Sequence, residues 1–192
     1  MKKSPGLLFV ISAASGTGKT TLVQRLLQDR SAPRFSISHT TRAPRAGEQN
    51  GRDYHFVTET EFQKMVDHNA FVEWAAVHGS RYGTSKSELN QAQDLLLDID
   101  TQGALNIKRL YANRAVLIFL APPSVKALQQ RLASRGTESE VQLKKRLEAA
   151  SRELACQDRY DHVVVNDDVE RALSELNLII MQERARARGG KS

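Results

Sequence analysis

The chain has 192 residues, 40% of them hydrophobic and 26% charged, which is the composition of one soluble globular domain and argues against a disordered chain, a collagen or a coiled coil. A single cysteine, Cys156, excludes an intrachain disulfide, and no apolar run approaches the roughly 20 residues that span a bilayer. The net charge of +6 suggests nucleic acids, membrane surfaces or phosphorylated substrates as partners.

The chain opens with a pattern of strand, glycine turn and helix. Residues 7–11 are a short continuous apolar run, which is typical of a strand buried on both faces. Residues 15–18 predict a turn, and residues 20–28 carry leucine and valine at helical spacing. The lysines before the apolar run superficially resemble the start of a signal peptide, but the run is too short and the glycine turn follows at once, so a buried strand is favoured.

Strand and helix patterns alternate along most of the remaining chain. Short apolar runs predict further buried strands at residues 95–99, 116–120 and 163–165. Helical spacing predicts helices at about residues 105–110, 125–132, 141–156 and 169–184. This alternation predicts an α/β fold, a parallel sheet with helices on both faces.

Residues 38–86 break this alternation. They are rich in glycine and proline turn signals, and their strand-like stretches, 54–57 and 71–77, flank one helical run at 61–68. We therefore predict an inserted α+β subdomain of roughly 50 residues in this part of the chain.

The turn after the first strand matches the phosphate-loop pattern G-x-x-x-x-G-K-[ST], except that Ala13 replaces the first glycine. Gly16 and Gly18 let backbone N–H groups converge on phosphate oxygens, and the helix that begins near Lys19 adds its positive end. Lys19 can reach the β- and γ-phosphates, and the Thr20 hydroxyl can bind Mg²⁺. The loop predicts a nucleoside triphosphate site but not the reaction, because GTPases, ATPases and kinases share it. A glycine-rich turn with a chance lysine is the alternative.

Further along the chain, Arg42 and Arg45 lie on either side of a proline, so both can address one phosphate with forked donors. With this pair and the motifs around it, the sequence resembles the guanylate kinase family, whose members phosphorylate GMP from ATP. The resemblance extends from about Gly6 to Arg184 and is carried by Ser15-Gly16-Thr17-Gly18-Lys19-Thr20, Ser38 to Arg45, Asp53-Tyr54-His55-Phe56, Glu73-Trp74, Tyr82-Gly83-Thr84, and Asp98-Ile99-Asp100 with Gln102-Gly103.

The resemblance implies a GMP site with a phosphate end and a guanine end. The implied phosphate-binding residues, two guanidinium groups and two phenols that suit a dianion, are Arg42, Arg45, Tyr54 and Tyr82. Glu73 would accept hydrogen bonds from guanine N1–H and the 2-amino group, neither of which adenine offers. Ser38 and Thr84 would donate to guanine O6, and Asp100 would support the guanine edge. Solvated loop charges, a surface acid and aromatic packing are the structural alternatives.

The resemblance also implies an ATP site that binds Mg²⁺. Its residues are Ser15, Gly16, Thr17, Gly18, Lys19, Thr20, Thr21 and Asn166. Asp98 ends an apolar strand, where a carboxylate in this fold class commonly faces phosphate and metal. We therefore predict that Thr20 and Asp98 form the Mg²⁺ environment; a contact of Asp98 through water is favoured and a direct contact is left open. The alternatives are that Asp98 caps the following helix and that Asn166 belongs to a simple turn.

A basic segment, residues 126–152, carries seven bases against three acids. The resemblance puts Arg131, Arg135 and Arg146 of this segment in a mobile lid that closes over ATP, and with Lys19 and Arg42 they form the predicted catalytic set. Phosphoryl transfer needs charge stabilisation around the moving group more than covalent help. A solvated helical face, or helix packing for Arg131, is the alternative.

The predicted architecture is a P-loop NTPase-type parallel sheet flanked by helices, with a GMP-binding subdomain and a helical lid. The predicted segments are core at 1–37, GMP-binding subdomain at 38–87, core at 88–123, lid at 124–157, and core with a basic tail at 158–192. Two features depart from the family pattern. Ala13 and Ala14 replace its commoner loop residues, and residues 84–98 are about four residues short, which leaves open whether a helical turn is deleted or residues are missing.

The predicted reaction is direct in-line transfer of the γ-phosphoryl group of ATP to GMP with Mg²⁺, by a cytoplasmic enzyme with no nucleic-acid or membrane partner and an oligomeric state left open. One alternative is another small-molecule kinase, against which Glu73, Ser38 and Thr84 argue. A second is a catalytically inactive relative that binds proteins, although Lys19 and Arg135 are present. The third is a nucleic-acid-binding protein, suggested by the net charge alone.

Overall fold

Two sheets organise the structure, a computed structural model that describes residues 5–77, 79–133 and 140–189, without the side chains of 140–143 and 145. The strands are β1 (Leu8–Ala13), β2 (Arg34–Phe35), β3 (His39–Thr40), β4 (His55–Phe56), β5 (Phe71–Val77), β6 (Ser80–Ser85), β7 (Leu95–Asp98), β8 (Ala115–Ala121) and β9 (His162–Val165). The helices are α1 (Lys19–Leu26), α2 (Glu59–Asp67), α3 (Lys86–Leu89), α4 (Thr101–Leu110), α5 (Val125–Ala133), α6 (Glu140–Leu154) and α7 (Val169–Gly189), with a short 3₁₀ turn at Gln157–Arg159.

The larger sheet is parallel throughout, in the order β2-β7-β1-β8-β9. Its central strand, β1, is apolar on both sides because it lies between two helical layers. Phe9 and Ile11 join a core cluster with buried residues of α1 and α7, whereas Leu8 and Val10 join a cluster with buried residues of α4. The carboxyl ends of β1 and β7 therefore meet at one edge of the sheet, where ligands bind in such folds.

The smaller sheet has the order β4-β3-β6-β5, with β3 and β4 parallel and the other neighbours antiparallel. Helix α2 covers it, and the buried ring of Phe62 stacks on Phe71 with their centroids 4.5 Å apart. The helix begins at a capping box in which Thr58 accepts from the Glu61 backbone and Glu61 accepts from the Thr58 backbone. This second sheet occupies the part of the chain where the sequence predicts an inserted α+β subdomain.

Helices α5 and α6 form a third layer against the back of the phosphate loop. Ala14 is 2% exposed and shares an apolar cluster with Leu128 and Leu132 of α5 and Ala150 of α6. The alanine at position 14 is therefore accommodated as a packing residue at the base of the predicted lid.

The fold class and all the strands and helices predicted for the large sheet and its helical layers are confirmed, with ends that shift by a few residues. Helix α4 begins at Thr101, earlier than predicted, because Asp100 caps it by accepting from the Gly103 N–H at 2.7 Å. Strands β2 and β3 were not predicted because each has only two residues. Strand β6 was not predicted because its sequence is mostly polar. The division into core, subdomain and lid at the stated boundaries stays a prediction.

The short stretch between β6 and β7 contains only one helical turn, α3, within the continuously described residues 79–133. Leu89 at its end is fully buried, and the Ser85 hydroxyl caps its start. The single helical turn in this short stretch is thus anchored at both ends. Among the described helices, none has the length and hydropathy needed to cross a bilayer.

Candidate active site

A cleft of about 490 Å³ opens between the two sheets. Most of the residues predicted to bind substrates line it: Ser15, Gly16, Thr17, Gly18, Lys19, Thr20, Thr21, Ser38, Tyr54, Glu73, Tyr82, Asp98, Asp100 and Arg146. The residues come from the phosphate loop on one wall and from the smaller sheet on the other. Sequence segments more than 100 residues apart thus meet around one cavity.

The phosphate loop has the backbone conformation that its glycines permit. Gly16 and Gly18 have φ values of 91° and 95°, and Gly18 is the N-cap residue immediately before α1. The Thr17 N–H and hydroxyl both donate to the Ala14 carbonyl, at 3.1 and 2.7 Å, which closes the loop. The open amino end of α1 faces the cleft, so the loop can receive an anion.

Lys19 forms an ion pair with Asp98, which is the last residue of β7. The ammonium group also donates to the Ile99 carbonyl at 3.2 Å. Thr20, next to Lys19 in the first turn of α1, exposes its side chain at the mouth of the cleft. Asp98 therefore faces the phosphate loop, and the capping position that the sequence left as its alternative is taken by Asp100.

Arg131 and Asn166 support the loop from behind. The Arg131 guanidinium donates to the carbonyls of Thr17 and Asn166 at 3.1–3.2 Å, and the Asn166 amide donates to the Thr17 carbonyl at 2.7 Å. Neither side chain lines the cleft as it stands. Their contacts with ATP stay a prediction, whereas their contacts with the loop backbone are a feature of the structure.

Two side chains of α6 reach Ser15 in the loop. Glu153 accepts from the Ser15 N–H at 2.9 Å, and Arg146 donates to the Ser15 hydroxyl at 3.2 Å. Both side chains line the cleft. Burial raises the pKa of Glu153 above its ordinary value, against the opposing effects of the Ser15 hydrogen bond and of Lys19. Arg135, predicted to act beside Arg146, lies outside the described residues.

On the opposite wall, Glu73 of β5 accepts from the Thr84 hydroxyl of β6 at 2.6 Å. Burial raises the pKa of Glu73, an effect that the Thr84 hydrogen bond opposes and the nearby Asp100 carboxylate reinforces. A side chain at Gly103 would come within 3.0 Å of Glu73, so the glycine leaves room for the carboxylate. The structure thus brings Glu73, Thr84 and Asp100 together, but Thr84 donates its hydroxyl to Glu73 and does not line the cleft, and the contacts of all three with guanine stay a prediction.

The predicted phosphate-binding end divides into two parts. Arg42 lies over the Tyr54 ring, 5.5 Å from its centroid, and pairs with Glu48 at 2.9 Å, while Tyr54 and Tyr82 meet edge to face. Arg45 contributes its backbone N–H to Glu48, and its side chain is exposed outside the cleft. Arg42 and the two phenols are therefore assembled in this structure, and Arg45 is not.

Sequence reasoning gave no role to several residues that line the cleft, among them Phe35, Ser36, Asp53 and Glu153. Asp53 lies in a motif that the sequence analysis singled out, but it was given no role; it accepts from the Gln49 N–H at 2.8 Å and shapes the loop. Ser36 is 4% exposed at the end of β2, a strand that the sequence did not predict. Glu153 is one of several charges on a basic helix, and only the fold shows that it reaches the loop.

The sequence pattern of the guanylate kinase family matches residues 6–183. The chain belongs to the guanylate kinase family. A guanylate kinase from Thiobacillus denitrificans is 46% identical over 188 residues, which are 96% of this chain and 90% of the relative. One from Thermotoga maritima is 45% identical over 185 residues, 94% of this chain and 89% of the relative. Members of the family are ATP:GMP phosphotransferases, so the predicted family, the enzyme class and the transfer of a phosphoryl group from ATP to GMP are confirmed.

Solved structures agree with this assignment. The crystal structure of guanylate kinase from Anaplasma phagocytophilum matches with a TM-score of 0.74 at 31% identity, over 94% of this chain and 87% of that one. Shikimate kinase from Bacteroides thetaiotaomicron matches with a TM-score of 0.51 at 12% identity, over 91% of this chain and 98% of that one, and shares the fold alone.

Proposed function

We propose that the cleft transfers the γ-phosphoryl group of ATP directly to GMP, with ATP on the phosphate loop and GMP on the smaller sheet. The observation that carries this proposal is the shared cavity, in which the phosphate loop and the Glu73 pocket form opposite walls. Donor and acceptor can therefore meet inside the protein, which in-line transfer without a covalent enzyme intermediate requires.

The guanine end supports selection of the base. Glu73 presents a partly buried carboxylate that already accepts from Thr84 on one oxygen, and guanine N1–H and the 2-amino group supply further donors. Adenine has an unprotonated N1 and no 2-amino group, so its binding would leave the Glu73 carboxylate without these donors in a site closed to water. A pocket built from buried hydrogen-bonding groups can discriminate by about 10⁴-fold. Ser38 and Asp100 complete this end.

The phosphate end of GMP would be bound by Arg42, Tyr54 and Tyr82, with Arg45 joining from its exposed loop. In this structure Glu48 pairs with Arg42 and accepts from the Arg45 N–H. A phosphate dianion offers Arg42 a stronger partner than this carboxylate. GMP binding is therefore expected to draw the 42–48 loop toward the cleft.

Charge neutralisation would come from cations on three elements. Lys19 lies at the start of α1, Arg146 reaches the loop from α6, and Arg131 supports the loop from α5. We assign Lys19 and Arg146, with Arg135, to the transferred phosphoryl group, where developing charge needs fixed donors. Arginines in this role contribute about 10³–10⁵-fold to the rate.

The donor set fits Mg²⁺ bound mainly through substrate phosphates. Among the described residues there is no group of three or more histidine, cysteine or acidic side chains that could hold a metal alone. Thr20 and Asp98 offer a hydroxyl and a carboxylate beside the phosphate loop, and Mg²⁺ typically binds one or two protein oxygens together with phosphates and waters. Mg²⁺ bound there would neutralise charge on the β- and γ-phosphates.

The segment 124–157 is proposed to close over ATP when both substrates are present. Closure excludes water, which would otherwise accept the phosphoryl group. We therefore expect little ATP hydrolysis without GMP. We also propose that the enzyme works in the reducing cytoplasm, a location that its single, unpaired cysteine suits.

The test is ADP release from ATP and Mg²⁺ by the purified chain with GMP, AMP, CMP, UMP or no acceptor. We expect turnover with GMP, and rates at least 100-fold lower with each of the other acceptors and with none. Equal turnover with and without GMP would contradict the closed-site mechanism, and turnover with AMP equal to that with GMP would contradict the Glu73 pocket.

A further inference from the structure

Ser15 of the phosphate loop is hydrogen-bonded to two side chains of α6, a helix of the predicted lid. Glu153 binds its N–H at 2.9 Å and Arg146 binds its hydroxyl at 3.2 Å. The two side chains are seven residues apart on α6, which is two helical turns, so they project from the same face. One loop residue therefore fixes two points along this helix.

Apolar residues around this contact pack α6 against the phosphate loop. Ala14, beside Ser15, is buried against Leu128, Leu132 and Ala150, so the carboxyl-terminal half of α6 rests on the loop. Apolar contacts hold the helix close but do not fix its rotation, because they are not directional. The hydrogen bond from the Ser15 N–H to Glu153 is directional, and it fixes the rotation that aims Arg146 at the cleft.

The chemistry of the reaction leaves Glu153 no direct task. The acceptor is a phosphate oxygen of a dianion and does not need a general base, and a carboxylate beside the γ-phosphate would oppose the cations that neutralise it. The Glu153 carboxylate is nevertheless within the cleft lining and partly buried, where its negative charge is costly. Because the partner of Glu153 is the backbone N–H of Ser15, Glu153 can serve to fix the geometry of this contact.

We propose that Glu153 is a positioning residue, which holds the Ser15 N–H and thereby aims Arg146 at the transferred phosphoryl group. Ser15 is the shared partner, so Glu153 acts through the loop and the helix face and has no contact with either substrate. This inference rests on the proposed function, in which Arg146 acts on that group. In this proposal the acidic Glu153 positions the basic Arg146 of the same helix.

Two substitutions of similar size separate hydrogen-bond acceptance from packing. Glu153→Gln keeps an oxygen that can accept from the Ser15 N–H, and Glu153→Met fills the same space without such an oxygen. Glu148→Ala, on an exposed position of the same helix, is the control. Steady-state kinetics with GMP and ATP, together with circular dichroism melting curves, would be measured for each variant and for the unmodified chain.

We expect Glu153→Met to lower kcat about tenfold while the KM for GMP stays within twofold, because the guanine pocket lies on the opposite wall. Glu153→Gln should keep at least a third of the kcat, and Glu148→Ala should match the unmodified chain. If the methionine variant does not fold, Glu153→Ala repeats the measurement. Equal activity of Glu153→Met and Glu148→Ala, or a glutamine variant as impaired as the methionine variant, would overturn the inference.

A double-mutant cycle with Arg146→Ala tests the coupling directly. If Glu153 acts by placing Arg146, then Glu153→Met should cost less than threefold in kcat once Arg146 is absent. Losses that multiply would show that the two residues act independently and would overturn the inference. Absence of GMP-dependent turnover in the unmodified chain would instead contradict the proposed function, so the two failures are distinguishable.

Discussion

Glu73 and Thr84 are register partners on the neighbouring strands β5 and β6, and the threonine hydroxyl donates to the carboxylate at 2.6 Å. Thr84 itself is fully buried. The sheet therefore holds one carboxylate oxygen of Glu73 in place while burial raises the pKa of the group. A partly buried carboxylate with a fixed orientation is suited to recognise two parallel donors on a flat base.

The first prediction is that Glu73→Gln lowers kcat/KM for GMP by about 10²-fold or more, because the amide puts a donor opposite a guanine donor. The KM for ATP should stay unchanged, since the phosphate loop lies on the other wall. Steady-state kinetics with varied GMP and ATP would measure both, with the exposed Glu59→Gln as control. Unchanged use of GMP would argue for an acceptor without a guanine edge.

The same variant should be more stable than the unmodified chain at neutral pH. Since the pKa of Glu73 is raised in the folded state, its contribution to stability is full below the unfolded value near 4.5 and is lost as pH rises through the folded value. Glutamine removes the buried charge and still accepts from Thr84. Melting curves should show that the difference in Tm between Glu73→Gln and the unmodified chain shrinks as pH falls toward 4.5. A difference that does not vary with pH would contradict a raised pKa of Glu73.

Gly16→Ala should cost about 2–5 kcal/mol and lower activity, because it combines backbone strain with a steric clash. The new Cβ would lie 2.7 Å from Leu132 Cδ2 and 3.2 Å from Leu128 Cδ1, on the packed side of the loop. Gly47→Ala is a matched control, since Gly47 also has positive φ but has open space around it, and its cost should be only about 1–2 kcal/mol. Urea unfolding would compare them. Equal costs would mean that packing on Gly16 contributes nothing.

We predict that the burial of His39 makes the free energy of unfolding fall in mild acid. Burial first, and then the neighbouring His55, lower the pKa of His39 to about 4. The unfolded chain binds the proton near pH 6.5, so the contribution to stability is present above pH 6.5 and is lost as pH falls toward 4. His39→Gln should flatten the dependence of the unfolding free energy on pH in this range. The exposed His68→Gln should not, and an identical slope in both variants would refute the prediction.

Asp98→Asn should raise the Mg²⁺ concentration needed for half-maximal activity and lower kcat, each by about 10–100-fold. The substitution removes the charge partner of Lys19 and the carboxylate proposed to lie near the metal. Titrations of Mg²⁺ at fixed ATP and GMP would measure the effect, with the exposed Asp158→Asn as control. A fall in kcat without any change in the Mg²⁺ requirement would leave Asp98 as a partner of Lys19 only.

The core could be predicted from local patterns because its strands are continuous apolar runs. The phosphate loop could be predicted because its motif lies between the strand β1 and the helix α1. Strand β6 shows the limit of such patterns. Its sequence, Ser-Arg-Tyr-Gly-Thr-Ser, has weak strand propensity, and it forms a strand because β3 and β5 supply hydrogen bonds on both sides.

Site residues that belong to sequence motifs could be predicted, whereas those that reach the site only through tertiary contacts could not. Lys19, Glu73 and Tyr82 line the cleft as the motifs predict. By contrast, nothing in the sequence relates Glu153 to Ser15, which lies 138 residues away. Arg45 shows a third case, because its backbone N–H is bonded to Glu48 while its side chain is exposed and does not line the cleft.

Glu88 connects the two places where the chain passes between the sheets. Its carboxylate accepts from Arg34 at 2.7 Å and from the Ile37 N–H at 3.2 Å, while Glu88 itself belongs to α3, directly after β6. Entry to the smaller sheet and exit from it are therefore bonded side by side at the edge of the core. A graft cut at residues 37 and 88 would carry Ser38, Glu73 and Tyr82 as one module, while Asp100 would stay with the core and would have to be matched to any new acceptor.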